Sequence, residues 1–397
     1  MMRKSILILL ILTLFLSGCW DRRELNELGI TMALGIDKTD NKYLVSAQVV
    51  VPSEVSMKTS SAGRSAVTLY QATGESIYEA FRKMTKNSPR KIYPGHLLIL
   101  VISEELAKEG IAESLDLLSR DWELRPDFYV VVAKNSTASE VLNVNTPIES
   151  IPANKMYSSL QVSEKNWAGT EGVILDELVK NLLAEGKEAV LTGIEVIGDK
   201  EIGSSKQNVE TITSSAQIQY DHLAVFKADQ LVGWLNEEES RGYADITNNV
   251  KTTVTSIPCP KEGEITLNIF HYQSKITGAI NKGEPEVNIK IQAEADIGEV
   301  QCQMDLTKPG TIEELEKFYE KKVEGIIHQT IEAMQNEYES DIFGFGEAIS
   351  RSNPKEWKKM KEHWDQKFSE LTTNVQIDMK IRRTGTVNNS FLEKLKD

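Results

Sequence analysis

Residues 6–16 form an apolar run of Ile, Leu and Phe broken only by Thr13, with Arg3 and Lys4 just before it. At 1.5 Å per residue, such a segment spans about 16 Å as a helix, well short of a ~30 Å hydrocarbon core. It reads as a secretory signal rather than a stable transmembrane helix. No later run of 18 apolar residues follows. The rest of the chain must therefore bury its own apolar side chains in a folded body. With 397 residues, 40% of them hydrophobic and 26% charged, it has material for two or three domains. That composition excludes a collagen-like, low-complexity or wholly disordered chain.

Leu16-Ser17-Gly18-Cys19 closes the apolar run. Small residues before a cysteine at that place resemble a bacterial lipobox. The resemblance implies that residues 1–18 are removed and that Cys19 carries a diacylglyceryl group and an N-acyl chain. The other reading is an ordinary cleaved signal that contains a cysteine. Two acyl chains matter because one alone gives only marginal, reversible membrane binding. Lys and Arg number 45 against 59 Asp and Glu, a net charge of −14, and loss of Arg3 and Lys4 makes the body more acidic still. Anionic headgroups should repel it, so a tether rather than a basic patch would hold it outside the cytoplasm. The same balance argues against a nucleic-acid surface, and no other cofactor is expected.

The fold class expected is α+β and multidomain. A mixed α/β region over 19–200, with room for two subdomains, precedes a C-terminal domain over 201–397. Residues 28–36 and 43–51 flank a polar Asp-Lys-Thr-Asp-Asn-Lys stretch and predict a hairpin. Residues 53–68 read as an exposed loop, and 73–87 as a helix ending before Pro89. Unbroken apolar runs at 97–102 and 128–133 predict buried strands. Ser103 is placed to cap a helix over 104–119. Prolines interrupt 146–166, which carries no clear pattern. A helix over 173–184 and a strand over 189–197 complete the region, and 198–215 reads as a boundary or exposed loop.

Further on, short strands are expected at 223–226 and 231–235, then at 250–257, 265–272 and 287–295. Thr311 and Glu314 have capping-box spacing before a helix of about thirty residues. Leu315, Phe318, Val323, Ile326, Ile327, Ile331, Met334 and Tyr338 mark its apolar face. Pro354 opens a second helix whose stripe is Trp357, Met360, Trp364, Phe368 and Leu371. Residues 375–381 alternate as a half-buried strand does. Together these predict an antiparallel sheet packed with long helices.

Constellations that chemistry requires are missing. The five histidines are scattered, with no pair at zincin spacing. His96 reads as a strand-edge residue rather than a base. There is no nucleophile elbow and no phosphate loop. Gly344-Phe345-Gly346 begins like a dinucleotide turn but lacks its third glycine, and reads as a turn between helices. Glu237-Glu238-Glu239 lacks the alternating ligands of a calcium loop and reads as a helix start. Metal ligation and catalysis are therefore not expected. Cys259 and Cys302 either pair as a disulfide or remain two thiols, and the spacing leaves both open.

Cys19-Trp20-Asp21-Arg22-Arg23-Glu24-Leu25, Leu28-Gly29-Ile30 and Ala33-Leu34-Gly35-Ile36-Asp37 resemble the start of the Ger(x)C family, the lipoprotein C subunits of spore nutrient germinant receptors. Pro94-Gly95-His96 before an apolar strand, then Ser103-Glu104-Glu105, fits the same pattern, as does Phe226 with Leu231-Val232-Gly233-Trp234-Leu235. So do Ser340-Asp341-Ile342-Phe343-Gly344-Phe345-Gly346, Trp357, Trp364 and Ile381-Arg382-Arg383-Thr384-Gly385. The matches run along essentially the whole chain beyond the signal.

The resemblance implies a non-enzymatic subunit on the outer face of the spore inner membrane. It would act beside a multispanning A-type subunit and a transporter-like B-type subunit that holds the nutrient. It gives Cys19 the lipid. Trp20, Asp21 and Glu24, with Asp341 and Phe343, are candidate partner contacts. For 341–346 a structural corner between helices is the other reading. A lipid-anchored solute-binding protein is the alternative function.

Overall fold

Asp40 and Asn41 both take positive φ, 50° and 61°, a turn geometry that matches the twist of paired strands. They join β1 (Leu28–Thr39) to β2 (Lys42–Val50) as the antiparallel hairpin that the polar stretch predicts. A computed structural model describes residues 24–56, 65–260 and 262–385.

β3 (Val67–Gly74), β4 (Lys91–Tyr93), β5 (Ile99–Ser103), β6 (Tyr129–Ala133), β7 (Val190–Gly198), β8 (Ala216–Lys227) and β9 (Gln230–Leu235) complete a nine-stranded sheet. Its order is β3-β2-β1-β5-β6-β7-β8-β9, with β4 paired to β1. β1, β5, β6 and β7 run parallel, and antiparallel strands flank them on both sides. Alternate residues of the parallel strands serve opposite faces, which explains their unbroken apolar sequence. Leu100, Ile102, Val130 and Val132 face helices Ile77–Met84, Glu104–Glu109, Ala112–Arg120 and Leu175–Leu182. Ile99, Val101, Val131 and Ala133 face helices Ala138–Leu142 and Pro152–Asn166.

Several local expectations change here. The helix expected over 104–119 is two helices. Gly110 breaks it at φ 133°, and Asp229 receives the freed Ile111 and Ala112 N–H groups. The expected loop 53–68 holds the short helix Pro52–Ser56 and the start of β3. The unread stretch 146–166 contains a fifteen-residue helix that begins on Pro152, where the missing N–H costs nothing. Residues 198–215 carry two four-residue helices, held by buried Asn208, whose side chain bonds Ala216 N–H and C=O. β8 and β9 lie beyond residue 200, so the first sheet draws strands from both sides of the division expected there.

The second sheet has the order β10-β11-β12-β13. Its strands are β10 (Thr253–Pro258), β11 (Glu264–Asn281), β12 (Glu284–Val300) and β13 (Thr372–Arg383). Three strands are antiparallel as expected, but β13 joins β12 in parallel, so the sheet is mixed. The helical segment between them returns the chain to the end where β12 began, and a crossover of that kind dictates a parallel pairing.

That segment opens with helix Pro309–Ala333, continued by a π-helical turn Met334–Tyr338. The capping box is not formed. Proline already has helical φ, so the helix starts at Pro309 and Thr311 falls inside its first turn. The second expected helix is three pieces, Pro354–Met360, a 3-10 turn Lys361–His363 and Trp364–Ser369. Its stripe of Trp357, Met360, Trp364, Phe368 and Leu371 is nonetheless all buried, in one core with Leu315, Tyr319, Val323 and Ile327.

Candidate functional site

The two sheets meet at a corner built by Ser340-Asp341-Ile342-Phe343-Gly344-Phe345-Gly346. Glu339 at φ 47° ends the long helix, and Gly344 at φ 76° starts helix Phe345–Ser352. The Asp341 carboxylate sits over that new helix end. Its Oδ1 accepts from the N–H groups of Gly344 and Phe345 at 3.0 and 3.1 Å, and its Oδ2 accepts from Gly346 N–H at 2.8 Å. The Trp364 indole N–H donates to Oδ2 at 3.0 Å. Negative charge and orphan helix N–H groups satisfy each other here. Burial is strong enough to push this carboxyl up to about 6, although all four bonds favour its charged form.

The corner grips the first sheet by its backbone. Asp341 C=O accepts from Glu188 N–H at 2.8 Å, Gly186 C=O accepts from Glu347 N–H at 3.2 Å, and Ser340 Oγ donates to Phe226 C=O at 2.8 Å. Gly186 and Gly346 lie so close that a Cβ on Gly346 would come within 2.6 Å of Gly186 Cα. Phe343 stacks on Phe345 at 4.9 Å between ring centres, and Trp357 meets Trp364 edge-on at 5.2 Å. Rings at these separations add specific geometry to large buried area.

A second junction lies around Glu171. Its carboxylate accepts from Tyr243 O–H at 2.7 Å and from Asn249 Nδ2 at 2.8 Å, both on the C-terminal side. Burial raises the Glu171 carboxyl, against the pull of the Tyr243 hydrogen bond. Lys165 C=O and Trp167 C=O receive further bonds from Thr252 and Thr253. The Glu171 carboxylate thus ties the loop before β7 to the C-terminal side directly, whereas the Asp341 carboxylate shapes the corner whose backbone grips the first sheet.

A polar crevice opens at the carboxyl ends of β1, β5 and β6. β5 continues into a helix on one face of the sheet, and β6 into a helix on the other. Ligands of open α/β sheets sit at such a switch. The crevice has a volume of about 510 Å³ and is lined by Asp37, Lys38, Ser103, Glu105, Asn135 and Thr137 among others. Asp37 accepts from Ala138 N–H at 2.7 Å and Ser139 N–H at 2.9 Å. Burial raises its carboxyl against those bonds. Gly35 allows the same helix to approach, since a Cβ there would lie 3.1 Å from Ala138 Cβ.

Cys19, Trp20 and Asp21 lie outside the described residues, and Glu24 is exposed. Asp341 and Phe343 are each only 3% exposed. Internal hydrogen bonds occupy the Asp341 carboxylate, and ring packing surrounds Phe343. The segment forms a corner between the long helix and helix Phe345–Ser352. Cys259 and Cys302 are joined, with Cα atoms 6.5 Å apart, one residue beyond β10 and two beyond β12. His96 is exposed and its ring meets Tyr93 edge-on. Glu239 closes a capping box with Asn236, so the triple glutamate is a helix start. Among the described residues, no group of three His, Cys, Asp or Glu is placed to hold a metal. Nor is any helix there long and apolar enough to cross a membrane.

Sequence reading missed Glu171, Asn249 and Gly186. The only local signal was the Glu185-Gly186 turn after an apolar helix, since nothing in a linear pattern says which loops meet.

Residues 21–196 match the family described as "Spore germination protein N-terminal domain", and residues 221–385 match "Spore germination B3/ GerAC like, C-terminal". The chain is 34% identical over 407 aligned residues to "Spore germination protein KC" of Bacillus subtilis (strain 168), with all of both chains covered. It belongs to the Ger(x)C family of spore germination proteins. The Ger(x)C chain is also 26% identical to "Spore germination protein B3" of Bacillus subtilis (strain 168), over 96% of its own length and 97% of that relative's. It shares a fold with the crystal structure of the GerBC protein at a TM-score of 0.55 and 22% identity, over 88% of this chain and 96% of that one. The quoted motifs gain physical meaning from the geometry. Gly35 and Asp37 dock a helix at the crevice, and Asp341, Gly344 and Gly346 build the junction.

Proposed function

We propose that this Ger(x)C chain is a lipid-anchored, non-enzymatic subunit of a spore nutrient germinant receptor. It acts at the outer face of the spore inner membrane, beside A-type and B-type membrane subunits. The observation that carries the reading is the end-to-end likeness to a spore germination protein, joined to the lipobox at Leu16–Cys19. Lipid on Cys19 would concentrate the body at the membrane and make docking to membrane subunits effectively intramolecular. A rigid junction suits a subunit that must pass a conformational bias between partners, because a load applied to one sheet is felt by the other.

Affinity purification of the detergent-solubilised protein from dormant-spore inner membrane tests the reading. Recovery of a multispanning and a transporter-like protein is the expected result. Recovery of the abundant, intact chain alone would overturn it. Cys19→Ala should leave unprocessed protein and weaken nutrient germination when this is the sole homologous receptor, while nutrient-independent triggers still work.

The crevice beside Asp37 favours a second reading, a lipid-anchored solute-binding protein. Titration calorimetry of the purified chain against small polar metabolites separates the two, since the solute-binding reading requires saturable heat.

A further inference from the structure

We infer that the end of the first sheet bearing Trp122 lies against the lipid surface and that Trp122 enters its headgroup region. This rests on the lipid anchor proposed above. Trp122 is 77% exposed, and Tyr78, 50% exposed, stands across a shallow cleft from it. Tryptophan and tyrosine favour the membrane–water interface because each has an apolar body and a polar tip.

The position of this end, more than its aromatic content, selects the occupant. The loop before β6 carries Trp122, and its neighbour Glu123 pairs with Lys91 at 2.6 Å. Lys91 is the register partner of Leu28, the first residue of β1. Trp122 therefore sits at the end of the sheet where the chain enters from Cys19. Leu28 stands nine positions beyond Cys19, a reach of at most about 30 Å when fully extended. A body tethered so closely meets the bilayer with this end first. Near Trp122, Arg125 pairs with Asp127 and Arg120 with Asp116, each at 2.7 Å, and Asp121 accepts from Glu123 N–H. The contact should depend on the indole and little on anionic lipid.

Brominated lipid, which quenches tryptophan at short range, gives the test. The full-length lipidated protein is reconstituted into phosphatidylcholine vesicles whose acyl chains are brominated near the headgroup, with and without added phosphatidylglycerol. Wild type and Trp122→Phe are compared, with thermal melting to show that both fold. The expected result is flotation of both with the vesicles, stronger quenching of wild type than of the variant, and the same excess in both lipid mixtures. Flotation with equal quenching would overturn the Trp122 placement while leaving the anchor intact. Failure of wild type to float would overturn the anchor and this inference with it. Equal quenching in vesicles, together with a crosslink from position 122 to another protein in spore membrane, would give this end of the sheet to a protein partner instead.

Discussion

The indole N–H of Trp364 donates to Asp341 Oδ2 at 3.0 Å, the same oxygen that accepts Gly346 N–H at 2.8 Å. One carboxylate thereby joins the start of helix Phe345–Ser352 to the third piece of the broken helix after Pro354. Removing it leaves three backbone N–H groups and one indole N–H without their acceptor. Asp341→Ala should destabilise the chain by about 3 kcal/mol at neutral pH. Trp364→Phe keeps the ring packing and loses one bond, costing about 1 kcal/mol. Urea unfolding of both variants checks the order, and equal midpoints would remove the carboxylate from the centre of the junction.

The same group has a pH signature. Its carboxyl is raised from 3.8 to about 6 by burial, so the folded chain binds this proton more readily than the unfolded chain. The contribution to stability is present below about 4 and is lost as pH rises to about 6. Wild-type stability measured relative to Asp341→Asn should fall through that window and then level off. A constant difference across the window would show that another group carries the titration.

Two glycines should respond in opposite directions to alanine. A Cβ on Gly346 would lie 2.6 Å from Gly186 Cα, a backbone atom that cannot swing away. Gly346→Ala should cost about 2 kcal/mol by prising the corner from the loop before β7. Gly325, within helix Pro309–Ala333, has nothing within 4 Å of its would-be Cβ. Gly325→Ala should stabilise by about 1 kcal/mol. Differential scanning calorimetry of the pair decides it, and a neutral Gly346→Ala would mean that the two loops are not in contact.

The Cys259–Cys302 link closes a loop with a sequence separation of 43. Restricting the unfolded chain in this way stabilises the fold by about 4 kcal/mol in the chain-entropy account. Cys259→Ser with Cys302→Ser should lower the denaturation midpoint accordingly. Wild type should migrate faster on non-reducing than on reducing gels. Unchanged migration would show the two thiols to be free.

Much of the fold was legible because its signals are local. The apolar runs that become β5 and β6, the Ser103 cap, the Pro354 helix start and the buried tryptophan stripe each depend on neighbours within a few residues. β3 was not legible, because Val67 to Gly74 mixes Thr, Tyr and Gln at the end of a polar stretch. The orientation of β13 was not legible either. Its alternation reads the same in both directions, and only the path of the helices between β12 and β13 decides it.

The site divided in the same way. Gly344-Phe345-Gly346 was readable as a turn because two glycines flank an apolar residue. That Asp341 faces inward was not readable, since its four donors come from sequence neighbours and from a tryptophan 23 residues away. Glu171 gave no sign at all. A charged residue in a glycine-rich loop ordinarily faces water, and its two donors lie 72 and 78 residues further along.

β7 takes its outer partner from β8, and β8 takes its own from β9, which ends at Leu235. A chain that emerges from its N-terminus therefore leaves the outer sides of β7 and then β8 unpaired until that residue has appeared. Unpaired edges of this kind invite pairing with other chains. A fragment stopped at residue 200 would keep β7 uncovered and lose the Phe226 carbonyl that Ser340 grips. The order of emergence, as much as the final contacts, sets when this protein is safe from its own copies.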